Sequence, residues 1–219
     1  MNLNIFYLHE DSNASPEQLS EKLAAFPRQQ LTNDSWPDIA TICTADFTIA
    51  YRKQEILLKF RIYNDYFRSI KRPINTEVHF DNCVEFFIAF DQSDQYYNIE
   101  FNCLGIGKIA YGSQKDKRTL LQESAVQKIH TWVESDAQGA EFNWEMMMRI
   151  PAEVFVFHQI QSFEGISAKA NFYKCGDELP SPHFLCWNKI VSATPDFHSP
   201  DYFGTIQFMP SQTELGTFK

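Results

Sequence analysis

Cys83-Val84-Glu85-Phe86-Phe87-Ile88-Ala89-Phe90, followed by Tyr97-Asn98-Ile99-Glu100-Phe101-Asn102-Cys103-Leu104, decides the fold. In the first run Val84, Phe86, Ile88 and Phe90 alternate with Cys83, Glu85, Phe87 and Ala89. In the second, Tyr97, Ile99, Phe101 and Cys103 alternate with Asn98, Glu100, Asn102 and Leu104. A side-chain period of two marks a strand with one face in a core. Asp91-Gln92-Ser93-Asp94 supplies turn chemistry between the runs, so the pair reads as a hairpin.

The same period extends outward. From Ala40 the chain turns strand-like, and Ile56, Leu58, Phe60 and Ile62 alternate with Leu57, Lys59, Arg61 and Tyr63. Further strands are expected at 126–133, 142–150, 163–175 and 203–208, with turns at 105–107 and 176–177. Many short strands separated by turns predict an all-β chain, an antiparallel sandwich or barrel. Ahead of them, Ser15-Pro16-Glu17-Gln18-Leu19 opens a short N-terminal helix over 15–25. Ser15 caps it, Pro16 occupies its first position, Gln18 completes the box, and Leu19 and Leu23 face the body. A second short helix is expected around 151–156. The 219 residues show no repeat or linker, so the chain reads as one domain, with residues 1–35 an N-terminal extension packing on it.

Composition narrows the function. The net charge is −9 and the basic residues do not cluster, which excludes general binding to phosphate backbones, so no nucleic-acid partner is expected. Arg68 to Arg72 and Lys115 to Arg118 read as solvated turns. No stretch approaches a membrane span, and Met1 to Phe6 lacks the basic and apolar regions of a signal peptide. As written the chain reads as soluble and cytoplasmic, without a membrane partner; an export signal would have to lie upstream. Cys43, Cys83, Cys103, Cys175 and Cys186 are odd in number and form no CxxC pair. That spacing argues against a disulfide framework or a structural zinc site and for buried free thiols. His158, His183 and His198 match no zinc signature. No cofactor is expected, with structural calcium at acidic turns such as 91–94 the one exception to consider; they lack EF-hand spacing.

Aromatic residues make up 15% of the chain, and two readings follow: a Phe-rich core, or an aromatic-lined sugar site. If Val84, Phe86, Tyr97 and Ile99 face the core, the opposite face presents Glu85, Asn98, Glu100 and Asn102. Alternation alone also predicts an ordinary solvated face. Asn is depleted in strands, however, and three adjacent Asn/Glu/Asn positions favour a binding role. Mixed donors and acceptors at fixed spacing suit sugar hydroxyls, which both donate and accept. In the C-terminal third, Asn171 and Tyr173 fall on the face opposite Phe172. Trp187 is either a stacking platform or an ordinary core residue, the second being commoner for a lone Trp.

The run Asp81-Asn82-Cys83-Val84-Glu85-Phe86-Phe87-Ile88 resembles a strand of the family 9 carbohydrate-binding modules, and more closely the bacterial family 9-like proteins. Tyr96 to Asn102 with Gly105, Ala170 to Asp177, and Pro182-His183 through Trp187 to Pro195-Asp196-Phe197-His198 carry the resemblance further. Phe203-Gly204-Thr205-Ile206-Gln207-Phe208 fits too, so it spans roughly residues 35–210. The resemblance implies an immunoglobulin-like or jelly-roll β-sandwich whose partner is a carbohydrate held at a sheet edge, with no catalytic residue. Members clamp a terminal sugar between two Trp rings while a Glu and basic or amide groups take its hydroxyls. By position Glu85 matches the carboxylate, Trp187 the C-terminal ring and Lys108 the basic group. The other Trp is absent: Val78-His79-Phe80 stands there, with His79 the ring available to stack. The expected site is Glu85, Asn98, Glu100, Asn102, Lys108, Asn171, Tyr173, His183, Trp187 and His79.

Two other readings stay open. Glu85 and Glu100 have the residue types of a glycoside hydrolase pair acting on O-glycosyl bonds. Alternatively the sugar site is degenerate, and aromatics around Phe67, Tyr202 and Phe203 form a protein interface.

Overall fold

The computed structural model describes residues 1–9, 14–91, 94–138 and 141–212; Gln92 and Ser93 of the expected hairpin turn lie outside these. Thirteen strands run in chain order: β1 (Asn2–Ile5), β2 (Gln29–Leu31), β3 (Thr44–Arg52), β4 (Glu55–Asp65), β5 (Cys83–Ala89), β6 (Tyr96–Asn102), β7 (Gly107–Gly112), β8 (Thr119–Leu120), β9 (His130–Gln138), β10 (Glu141–Pro151), β11 (Ser167–Cys175), β12 (Phe184–Cys186) and β13 (Gly204–Phe208). They form two sheets. One has eight strands in the order β1-β13-β11-β5-β6-β7-β8, with β12 on β11; the other has five, β2-β3-β4-β10-β9. Pairing is antiparallel except for β1 beside β13. The result is an all-β sandwich. Within residues 1–35, β1 joins the eight-stranded sheet and β2 the five-stranded one.

The alternation read from the sequence sets which face is which. Val84, Phe86 and Ile88 of β5 and Tyr97, Ile99 and Phe101 of β6 point into the core between the sheets. Phe86 stacks on Phe172 of β11, and Phe172 stacks on Phe47 of β3, with ring centroids 4.8 and 3.9 Å apart, so the stack bridges the sheets. Trp144, Met146, Met148 and Ile150 of β10 fill the same layer. No disulfide is needed: all five thiols are free and buried.

Helix α1 (Pro16–Leu23) has the expected capping box, Ser15 accepting from Gln18 N while the Gln18 side chain takes Ser15 N. Leu19 and Leu23 are fully buried against Ala50, Leu57 and Met147, on the outer face of the five-stranded sheet. Two local expectations differ from the structure. Residues 126–133 begin in a one-turn helix, α2 (Glu123–Val126), and the strand starts only at His130. The second helix expected at 151–156 is a single 3-10 turn, Ala152–Val154. No helix among the described residues is long and apolar enough to cross a membrane.

A buried ion cluster joins the sheets at one end. Lys174 of β11, fully enclosed, sits 3.1 Å from Asp65 of β4 and donates to His183 Nε2 at 2.8 Å. Asn82 and Trp144 also donate to Asp65. Burial works against the Asp65 anion, but Lys174 and these hydrogen bonds outweigh it and hold its carboxyl below the ordinary range. Burial and Lys174 together push His183 down to about 4, so its ring is neutral and accepts the ammonium proton.

Candidate functional site

The outer face of the eight-stranded sheet is not a solvated face. A second apolar layer covers it, in which Phe87, Tyr96, Tyr173, Phe197 and Phe203 meet Trp36. The covering segment 188–203 is pinned from the sheet. Asn171 donates to Asn188 O and accepts from Asn188 N, both at 2.9 Å. Tyr173 donates to Phe197 O at 3.2 Å, with its ring stacked on Phe197 at 4.1 Å. Tyr96 pairs its hydroxyl with His198 Nδ1 at 2.9 Å.

Beside this covered area the sheet floor stays open as a cavity of about 290 Å³. Adjacent strands bring Glu85, Glu100 and Lys108 into one row, since Glu85 pairs with Glu100 and Glu100 with Lys108. Lys108 donates to Glu77 at 2.9 Å, and His79 Nδ1 lies 3.6 Å from Glu100 Oε2. Asn98 holds the other oxygen, Glu100 Oε1, from the same strand. Glu100 is only 3% exposed, yet its Oε2 has no hydrogen-bond partner; Arg118 Nη1, another lining group, is buried and equally unpartnered. Phe184, Pro195 and Phe197 form the apolar wall.

The electrostatics follow from this packing. Burial and the neighbouring Glu100 push the Glu85 carboxyl well above its ordinary range, and Cys175 donates to its Oε1 at 3.2 Å. Burial likewise raises Asp177 at the cavity edge. At Glu77 burial acts in the same direction, but Lys108 and His79 outweigh it and lower its carboxyl. The floor is thus a pair of carboxyls, Glu85 shifted toward its protonated form, with the Lys108 and Arg118 donors at the rim. Such a set can read a group that donates and accepts.

Of the ten residues expected at the site, Glu85, Glu100, Lys108 and His79 line this cavity. Asn98 lies behind Glu100. Asn102 instead closes the β6–β7 turn, accepting from Leu104 N and Ile106 N and donating to Asp81, with Gly105 at φ 75°. Asn171 and Tyr173 anchor the covering segment. His183 is sealed in the Lys174 cluster. Trp187 is a core residue, 3% exposed, edge-on to Phe47 and Phe172, because its backbone N–H bonds to Phe172 O and sets its ring inward. No Trp ring therefore reaches this floor.

Sequence reasoning missed Glu77, Arg118 and Asp177. Arg118 belongs to the run taken for a solvated turn, and nothing local distinguishes it. Of the aromatics weighed for a protein interface, Phe67 is 61% exposed, whereas Phe203 is buried in the outer layer. The three loop histidines are dispersed: His158 bonds to Tyr97, His183 to Lys174 and His198 to Tyr96. A larger groove, about 730 Å³, runs past Tyr7, Glu55 and His158, but its charges satisfy each other, Arg52 and Arg149 both donating to Glu55.

The comparisons with known proteins agree with this architecture. The profile of carbohydrate-binding family 9 matches residues 13–208. A protein from Bacteroides uniformis, provisionally described as carbohydrate-binding, is 32% identical, with a TM-score of 0.88 over 94% of this chain and 98% of that one. A family 9 module from Caldicellulosiruptor kristjanssonii, solved with glucose, superposes with a TM-score of 0.63 at 10% identity, over 99% of this chain and all of that one. The same organism's family 9 module with cellotriose gives 0.60 at 9% identity, over 100% and 98%. The comparison with curated proteins returns no significant match. By the extent of the profile match and the likeness to the Bacteroides protein, this chain is a member of carbohydrate-binding family 9.

Proposed function

We propose that the chain is a non-catalytic carbohydrate-binding protein whose site is the cavity over Glu85, Glu100 and Lys108, serving carbohydrate catabolism. The observation that carries this is the unpartnered Glu100 Oε2. A buried carboxylate oxygen without a donor is costly unless a ligand supplies one, and a sugar hydroxyl does so while accepting from Arg118 or Lys108. Family membership, and the sugars held by the two Caldicellulosiruptor modules, support the same ligand class. The cavity stands at the low end of small-molecule sites, about 300–1,000 Å³, which suits one sugar unit or a chain end. The apolar wall of Phe184 and Phe197 offers contact for ring C–H groups in place of the paired Trp rings.

The paired register of Glu85 and Glu100, with Glu85 holding its proton, is the one feature that favours a hydrolase. Against it, the two carboxyls stand side by side on one floor, whereas acid and nucleophile flank the scissile bond. A glycan array with a parallel turnover assay separates the readings. Saturable binding without hydrolysis is expected. Hydrolysis lost in Glu85→Gln would replace the binding reading with the enzymatic one, and an empty array would overturn both.

A further inference from the structure

At and beneath the cavity floor lies a cluster of which the sugar reading uses only Glu85. Cys83 and Glu85, two residues apart on β5, share its outer face, and Cys175 of β11 stands directly opposite Cys83. One ligand atom from each, two Sγ and one carboxylate oxygen, all lie within 4.8 Å of one another. The three residues are 0%, 4% and 1% exposed and sit on rigid paired strands. We infer that Cys83, Cys175 and Glu85 form a site for one soft divalent cation of the zinc class.

Geometry is the first support. Tetrahedral zinc, with bonds of about 2.3 Å to sulfur and about 2.0–2.2 Å to carboxylate oxygen, holds its donors roughly 3.5–3.8 Å apart. Cys175 Sγ and Glu85 Oε1 are already at 3.2 Å. Two thiolates select zinc or cobalt over calcium or magnesium.

The absence of a seated ammonium is the second. Among the described residues no lysine or arginine forms an ion pair with Glu85 or Glu100, and Lys108 is engaged by Glu77. Glu100, whose buried Oε2 lacks a hydrogen-bond partner, is the strand partner of Glu85. The other grouping of this kind, Cys43, Asp65 and His183, differs in the decisive respect: the Lys174 ammonium already occupies it. In that grouping Lys174 sits among the donors; toward the Cys83–Cys175 pair it reaches only the Cys175 carbonyl.

Access is the third. Glu85 and Cys175 line the cavity, so an ion enters from there, and three protein donors leave its fourth position facing the open side. Binding releases the protons of both thiols and of Glu85, so affinity rises with pH. Sequence spacing did not reveal this site, because its two cysteines are strand partners 92 positions apart in the numbering of Cys83 and Cys175.

This site shares Glu85 with the proposed sugar site, but its test uses the metal alone, so its failure would leave the sugar reading standing. Cobalt(II) is titrated into the reduced full-length chain and followed by absorption. The expected result is saturation at one equivalent, with a thiolate-to-cobalt charge-transfer band, intense tetrahedral bands, and displacement by zinc. Cys83→Ser and Cys175→Ser should each weaken binding by at least about tenfold and diminish the charge-transfer band, while Cys103→Ser should leave both unchanged. Circular dichroism verifies that each variant is folded, and the wild-type spectrum decides the matter even if one is not. Absence of a charge-transfer band in the reduced wild type would overturn the inference. So would full cobalt binding by the Cys83→Ser/Cys175→Ser double variant, or a Cys83–Cys175 disulfide forming in a protein that takes up no metal.

Discussion

Glu85 illustrates how much one buried side chain reports. Its carboxyl is held above the ordinary value of 4.5 by burial and by Glu100, so the native state keeps a proton that the unfolded chain has released. Stability is therefore greatest below pH 4.5 as far as this group is concerned, and falls as pH rises from there through the raised native value. Melting curves of wild type and Glu85→Gln should show it: the wild-type Tm declines relative to the variant as pH increases, and parallel curves would contradict the assignment. Trp187 gives the opposite lesson, since its work is packing. Trp187→Ala should cost about 3–5 kcal/mol in urea unfolding; a change within about 0.5 kcal/mol, typical of surface sites, would place the ring at the surface. At this scale Glu85 and Glu100 were legible because alternation assigns each strand residue a face. Trp187 was not, because it follows a three-residue strand, too short to display a period.

At the level of elements, the strands that hold the site were the readable ones. β5 and β6 are buried on both faces, and the positions turned to the core between the sheets are apolar without a break. β1, β2 and β12 are three or four residues long and carry no such signal. The region around 126 was misphased because Ala125 and Val126, apolar neighbours before a strand, are buried from a helical turn. Gly204 on β13 marks where strand meets core: a Cβ there would fall 2.5 Å from Trp187 Cζ3 and 2.9 Å from Met1 O. Gly204→Ala should therefore destabilise by about 1–3 kcal/mol, measured by chemical denaturation, and a neutral result would mean that the ring yields. The segment 188–203 is held by bonds from Asn171 and Tyr173 of β11 and Tyr96 of β6. Tyr173→Phe removes the bond to Phe197 O and should cost about 0.5–1.5 kcal/mol, with faster amide exchange in that segment than in β5.

Over the whole molecule, two long-range devices escape any local reading. One is the Lys174 cluster, which draws on both sheets. Lys174→Met leaves Asp65 buried without its cation and should cost about 3–5 kcal/mol, while adding Asp65→Asn should restore part of the loss. Equal stability of the single and double variants would contradict the clip. The other is the cavity itself. Its floor is two strands with a visible pattern, but its walls come from positions 77–79, 115–118, 177, 184 and 195–198, which only the folded chain brings together. The floor positions and His79 were named from the sequence, and the resemblance had marked the stretches holding 177, 184 and 195–198, but Glu77 and 115–118 were not foreseen. The central claim is that this floor binds sugar. Isothermal titration of glucose and cellotriose into wild type, Glu100→Ala and Trp187→Phe tests it most directly. The account predicts saturable heat with wild type and Trp187→Phe and its loss in folded Glu100→Ala; no heat with any sugar, or binding that survives in Glu100→Ala but not in Trp187→Phe, would contradict it.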